Sequence, residues 1–124
     1  MNVSIVILSS FLKSHPSTTV IEKVVNAIIN HLIGLERDTP MILAHDYSNR
    51  ANYRAYLKTL KRVFFPKWSL RFNVMLTVCK MKQGLFGNMV NALNFVHTPY
   101  VVVLNGDLEF VRTVRIHDII RTIP

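Results

Sequence analysis

Tyr100-Val101-Val102-Val103-Leu104-Asn105-Gly106-Asp107 is an apolar, β-branched run that ends in a carboxamide, a glycine and a carboxylate. Such a run reads as a strand buried on both faces, the pattern of a parallel sheet. Working back from it, residues 3–8 (Val-Ser-Ile-Val-Ile-Leu) form a second buried run of the same kind. Residues 41–44 and a segment within 70–79 supply two more short strands.

Helical patterns separate these runs. Thr19 and Glu22 stand in capping-box spacing, and Val20, Ile21, Val24, Val25, Ile28, Ile29 and Leu32 repeat at three and four residues. A helix running to about Gly34 is expected there, then a polar connector over 35–40. From Asn49 to Phe65, Tyr53, Tyr56, Leu57, Leu60, Val63 and Phe64 line one helical face, and Arg50, Arg54, Lys58, Lys61 and Arg62 the other. Pro66 is expected to stop this helix. Gly84 and Gly87 mark a loop, residues 88–95 a short helix, and Ile116, Ile119 and Ile120 a last one.

The order β-α-β-α-β-α-β-α predicts an α/β fold of three layers, α/β/α, around a mostly parallel, Rossmann-like sheet. At 124 residues the chain fits a single domain. Half its residues are hydrophobic and only 18% are charged, which excludes wholesale disorder. Fifteen Lys and Arg against seven Asp and Glu give a formal net charge of +8. That excess favours nucleotide diphosphates, nucleic acid or acidic membrane surfaces as partners. The lone Cys79 excludes an internal disulfide and is expected to be a buried, inert thiol. No signal peptide and no spanning segment of about twenty apolar residues is present, so a soluble, cytoplasmic chain is expected unless an anchor lies outside it.

Ligands of open parallel sheets bind beyond the carboxyl ends of the strands. Two of the predicted ends carry acids: Asp46 after the second strand and Asp107 after the fourth. Asn105, Gly106 and Asp107 could hold a divalent cation, since Mn²⁺ and Mg²⁺ take oxygen ligands and glycine lets backbone approach. The alternative is a plain Asn-Gly turn. Asp46 could accept a hydrogen bond from a base or a ribose hydroxyl, or share a helix N-cap with Ser48 and Asn49. Lys80 and Lys82 beside Gly84 and Gly87 suit phosphate, because a glycine loop exposes backbone N–H groups. The five histidines lack metal-ligand spacing and are read as structural or surface groups. Trp68, Phe64, Phe65 and Phe72 are read as core or interface.

Taken together, the first strand, His45-Asp46-Tyr47-Ser48, Gly84 to Phe95, Thr98-Pro99-Tyr100 and the Asn-Gly-Asp signature resemble the nucleotide-sugar-binding half of GT-A glycosyltransferases. The inverting, family-two-like group, and within it the ganglioside-type N-acetylgalactosaminyltransferases, is the nearest likeness. The resemblance implies a nucleotide-sugar donor, UDP-linked in most such enzymes, with Mn²⁺ or Mg²⁺. It implies Asp46 at the uracil or ribose; Ser48 of the same segment, and Lys82 from the glycine-loop reading, complete the expected nucleotide-sugar-binding residues. Asn105 and Gly106 would stand in the Asp-x-Asp signature, and Asp107 would ligate the metal. Asn105 occupies a position where the family carries aspartate, which predicts a weakened cation site. The family's acceptor-binding part and catalytic base come after the signature. Residues 1–124 are therefore expected to be a donor-binding domain truncated after the Asp-x-Asp region, with catalytic base and acceptor unassigned. The alternatives are a catalytically degenerate domain of the same fold and, less favoured, a basic nucleic-acid-binding α/β domain.

Overall fold

The structure, a computed structural model, describes residues 3–9, 18–48, 52–106 and 112–123. Four parallel strands form its sheet: β1 (Val3–Ser9), β3 (Thr39–His45), β4 (Phe72–Val78) and β5 (Tyr100–Asn105), in the order β4-β3-β1-β5. The chain thus moves outward from β1 through β3 to β4, then returns to pair β5 on the other side of β1. Because parallel crossovers are right-handed, this reversal carries the connecting helix to the opposite face.

Helices accordingly cover both faces. Alternation along the strands puts Ile5, Ile7, Met41 and Leu43 on one face, against Ile21, Val24, Val25 and Ile28 of α1 (Thr19–His31). Tyr53, Tyr56, Leu60 and Trp68 complete this main core. They belong to a continuous helical segment made of α2 (Tyr53–Thr59), a π-helical stretch (Leu60–Phe64) and α3 (Phe65–Trp68). On the other face Val6, Leu8, Ile42 and Ala44 pack against Ala92 of α4 (Gly84–Leu93), a much smaller core. A separate parallel pair, β2 (Leu32–Ile33) with β6 (Val114–Arg115), ties down α5 (Ile116–Ile120), whose Ile116 is buried in the main core. The α/β class and the parallel sheet agree with the sequence.

Several local expectations are corrected. The first helix ends at His31 and the chain goes straight into β2, so it stops short of Gly34. The expected capping box does not form: the N-cap is Thr18, whose hydroxyl makes no bond to the helix backbone and donates instead to the Glu22 carboxylate at 3.0 Å. The second strand starts two residues early and includes Pro40, which is tolerated because pairing with β1 begins only at Met41. Pro66 does not stop its helix, which continues to Trp68. The π stretch explains this, since Phe65 N–H already reaches back five residues to Leu60 O, out of the α-helical ladder that proline would break. The third helix begins at Gly84 rather than 88. Finally, β5 is an edge strand, with Tyr100, Val101 and Val103 exposed. Its apolar run reports side chains apt for burial, not whether a neighbour covers them.

Candidate functional site

The end of β1 organises the carboxyl edge of the sheet. Leu8 O accepts from Gly106 N–H, at 2.6 Å, on the β5 side. Ser9 O accepts from Asp46 N–H, at 3.1 Å, on the β3 side. Both loops flagged in the sequence are therefore fastened to the end of β1, at consecutive residues. Gly106 has no room for a side chain: a Cβ there would lie 2.9 Å from Leu8 O and 3.1 Å from Ser9 Cβ. Glycine is required here by close approach. The sheet order reverses between β1 and β5, so the crevice at their carboxyl ends is the topological switch point.

Alternation sends the consecutive residues His45 and Asp46 to opposite faces. His45 turns to the main core, where it is fully buried and its Nε2 lies 3.1 Å from the Tyr56 hydroxyl, with the two rings edge to face. Burial pushes its pKa down to about 4, opposed in part by the Leu43 backbone. The imidazole is neutral at physiological pH, and its Nδ1 has no partner of good geometry. Tyr53 donates its hydroxyl to Asp46 O at 3.1 Å, and burial pushes the phenol up to about 12.

Asp46 turns to the α4 side and is buried. Its Oδ1 accepts from Tyr47 N–H and Gln83 N–H, both at 2.8 Å, and its Oδ2 from Gly84 N–H at 2.9 Å. The carboxylate thus satisfies the first backbone donors of α4, the groups that a helix N-terminus leaves open. These are also N–H groups that a glycine loop would offer to phosphate. In this arrangement the protein's own carboxylate takes them. Ser48, half-buried, follows at the same edge. Lys82 is exposed one residue before Gln83.

Asn88 was not anticipated as a key residue. Its carboxamide is buried, donates to Ala44 O at 2.9 Å and Ser9 O at 3.4 Å, and accepts from the Cys79 thiol at 3.7 Å. It bridges the ends of β1 and β3 to α4. The available signal was a pair of polar residues, Asn88 and Asn91, in the otherwise apolar stretch 84–93. Cys79 is buried, and burial raises its thiol pKa, as an inert cysteine requires.

Asn105 is exposed at the end of β5, one residue before buried Gly106, while Asp107 lies outside the described residues. Asp46 and Asn105 sit on either side of β1, so their backbones are separated by two strand spacings, roughly 10 Å. Among the described residues no three His, Cys, Asp or Glu side chains come together as a metal site. Asn105 offers one neutral oxygen, which alone is a weak anchor for a hard cation. The cationic excess is also localised. Residues 47–106 contain nine Lys or Arg and no Asp or Glu. Arg54, Lys58, Lys61, Arg62 and Lys67 are all exposed along the segment from α2 to α3. Among the described residues no helix is long and apolar enough to cross a membrane. Comparison with known protein families, curated proteins and solved structures finds no match for this chain.

Proposed function

We propose that the chain binds a nucleotide-diphosphate sugar, UDP-linked in the first instance, in the crevice between the carboxyl ends of β1 and β5, as the donor-binding part of a glycosyltransferase. One observation carries this: the parallel sheet reverses its order at β1 and β5, and Gly106 is fastened there to Leu8 while Asp46 is fastened to Ser9. Ligands of open α/β sheets bind at such a point. The residue after Gly106 in the sequence, Asp107, carries a carboxylate. Asn105 and Asp107 would hold Mn²⁺ or Mg²⁺, whose charge supplies Lewis-acid stabilisation of the departing diphosphate. The excess of Lys and Arg over residues 47–106 favours an anionic donor. The likeness of His45-Asp46-Tyr47-Ser48 and Asn105-Gly106-Asp107 to GT-A donor sites adds to the same reading.

Thermal unfolding with and without ligand tests it, because a ligand that binds only the native state raises its stability. UDP or a UDP-sugar together with Mn²⁺ should raise the Tm, and Asp107→Ala should lose the metal-dependent part. No shift with any pyrimidine or purine nucleotide-sugar overturns the proposal.

A second reading, binding without turnover, draws on Asp46 and Asn105. Asp46 is engaged by three backbone donors, and Asn105 carries no charge where the family has an acid. Release of free sugar, or its transfer to an acceptor, from a labelled UDP-sugar removes this second reading.

A further inference from the structure

Helix α4 carries its apolar residues on the outside. It contains no charged residue. It sits on the sheet through Ala92 and through Asn88, whose carboxamide is spent on Ala44 O, Ser9 O and the Cys79 thiol. Its outward side holds Phe86, Val90 and Leu93, spaced i, i+4, i+7 and all exposed, with Leu85 beside them. Met81, in the loop that leads into the helix, is a further exposed apolar residue. Met81, Leu85 and Phe86 are 65%, 63% and 73% exposed. A surface helix of a protein that meets only water carries charge on that face. A contiguous apolar patch instead marks an interaction surface.

The surrounding charge selects the occupant. Lys80 and Lys82 flank Met81 and are both exposed, and no acidic residue occurs anywhere in residues 47–106. A second copy of the chain would bring further cations against these two. Nucleic acid would find no donor along the Phe86, Val90 and Leu93 stripe, and the cations of α2 and α3 belong to the opposite face of the sheet. Apolar side chains at a tip flanked by lysines suit an anionic bilayer surface. There the apolar groups enter roughly 5–10 Å to the headgroup–acyl boundary and the ammonium groups reach lipid phosphates. We propose that residues 80–93 dock the protein peripherally on an anionic phospholipid bilayer, with Met81, Leu85 and Phe86 inserted and Lys80 and Lys82 at the headgroups. This does not depend on the donor-site reading.

Vesicle flotation of the whole chain tests it, comparing phosphatidylcholine vesicles with phosphatidylcholine–phosphatidylserine vesicles at low and high salt. Binding should favour the phosphatidylserine vesicles and weaken as salt rises. Leu85→Ser/Phe86→Ser should lower affinity by roughly tenfold or more on both compositions, with the circular dichroism spectrum unchanged. Lys80→Gln/Lys82→Gln should cost roughly fivefold per lysine on anionic vesicles and nothing on neutral ones. Phe86→Trp should add a blue-shifted emission on phosphatidylserine vesicles. Absence of flotation overturns the proposal, as does flotation indifferent to Leu85→Ser/Phe86→Ser. It is also overturned if that variant dissociates a dimer, or releases bound nucleic acid, in a protein that ignores vesicles.

Discussion

Asp46 Oδ1 accepts a hydrogen bond of 2.8 Å from the backbone N–H of Gln83, 37 residues further along the chain. The residue that follows β3 thereby caps α4, the helix that covers β1 and β3 on the second face of the sheet. With Tyr47 and Gly84 donating to the same carboxylate, Asp46 is a structural keystone whatever else it contacts. Asp46→Ala should therefore destabilise the domain by about 2–4 kcal/mol, since buried donors lose a charged acceptor. Asp46→Asn keeps one acceptor oxygen and should lose about half as much. Urea unfolding measures both, and an Asp46→Ala variant as stable as the parent would mean that these bonds carry no weight.

Gly106 should be equally intolerant for a different reason. Its backbone φ is not in the left-handed region, so alanine meets no torsional penalty. The obstacle is Leu8 O, a main-chain atom of β1 that cannot swing aside. Gly106→Ala should cost about 1–3 kcal/mol by forcing β5 away from β1. Because the same contact shapes the switch-point crevice, any nucleotide-induced rise in Tm should shrink with it. Thermal scans of the variant with and without UDP-sugar check both effects.

These two residues mark where the sequence was legible and where it was not. The continuous β-branched run of residues 3–8 reveals β1 because both its faces are buried, and the three- and four-residue spacing from Ile21 to Ile28 reveals α1 because burial on one face imposes a period. The acids at strand ends are visible for the same reason: a strand must end where its apolar run does. What Asp46 does there is invisible, because its partners Gln83 and Gly84 are brought close only by the sheet order. Gly84 and Gly87 looked like a loop because glycine disfavours helix. Asp46 offsets that cost by capping the first turn, where Gly84 itself has φ +74. Pro66 misled for a related reason, its forbidden hydrogen bond being sidestepped by a π turn that no local pattern announces. The exposure of β5 was unreadable too, since valines in an edge strand and valines in a central one are spelled alike.

His45 gives the fold a pH dependence with a definite sign. Its folded pKa is about 4 and its ordinary value 6.5, so between those values the unfolded chain binds the extra proton. The contribution is complete above pH 6.5, falls as pH drops through the window, and is fully lost below about 4. The total is about 3 kcal/mol, because each pKa unit corresponds to about 1.4 kcal/mol. Urea midpoints measured across this range should fall with acidification. His45→Gln, which cannot titrate, should flatten that slope; an unchanged slope would place its origin elsewhere. Tyr56→Phe, which strips Nε2 of its partner, should cost about 1–3 kcal/mol at neutral pH.

Asn105 allows a test by gain rather than loss. The side chain is exposed at the end of β5, so Asn105→Asp should fold as well as the parent. Under the donor-site proposal it restores a second carboxylate beside Asp107. Hard divalent cations respond to the number of charged oxygen ligands, so Mn²⁺ should bind roughly tenfold tighter. The metal-dependent rise in Tm with UDP present should grow accordingly, as stabilisation follows the logarithm of ligand concentration over Kd. The double variant Asn105→Asp/Asp107→Ala separates two explanations of such a gain. If Asp107 is the principal ligand, the double variant falls back to the parent's affinity or below it. If it keeps the full gain, the new carboxylate is acting alone and Asp107 does not face the cation. Calorimetric titration of Mn²⁺ into the UDP-loaded protein distinguishes the two, because each variant's Kd is read directly and does not rest on fold stability.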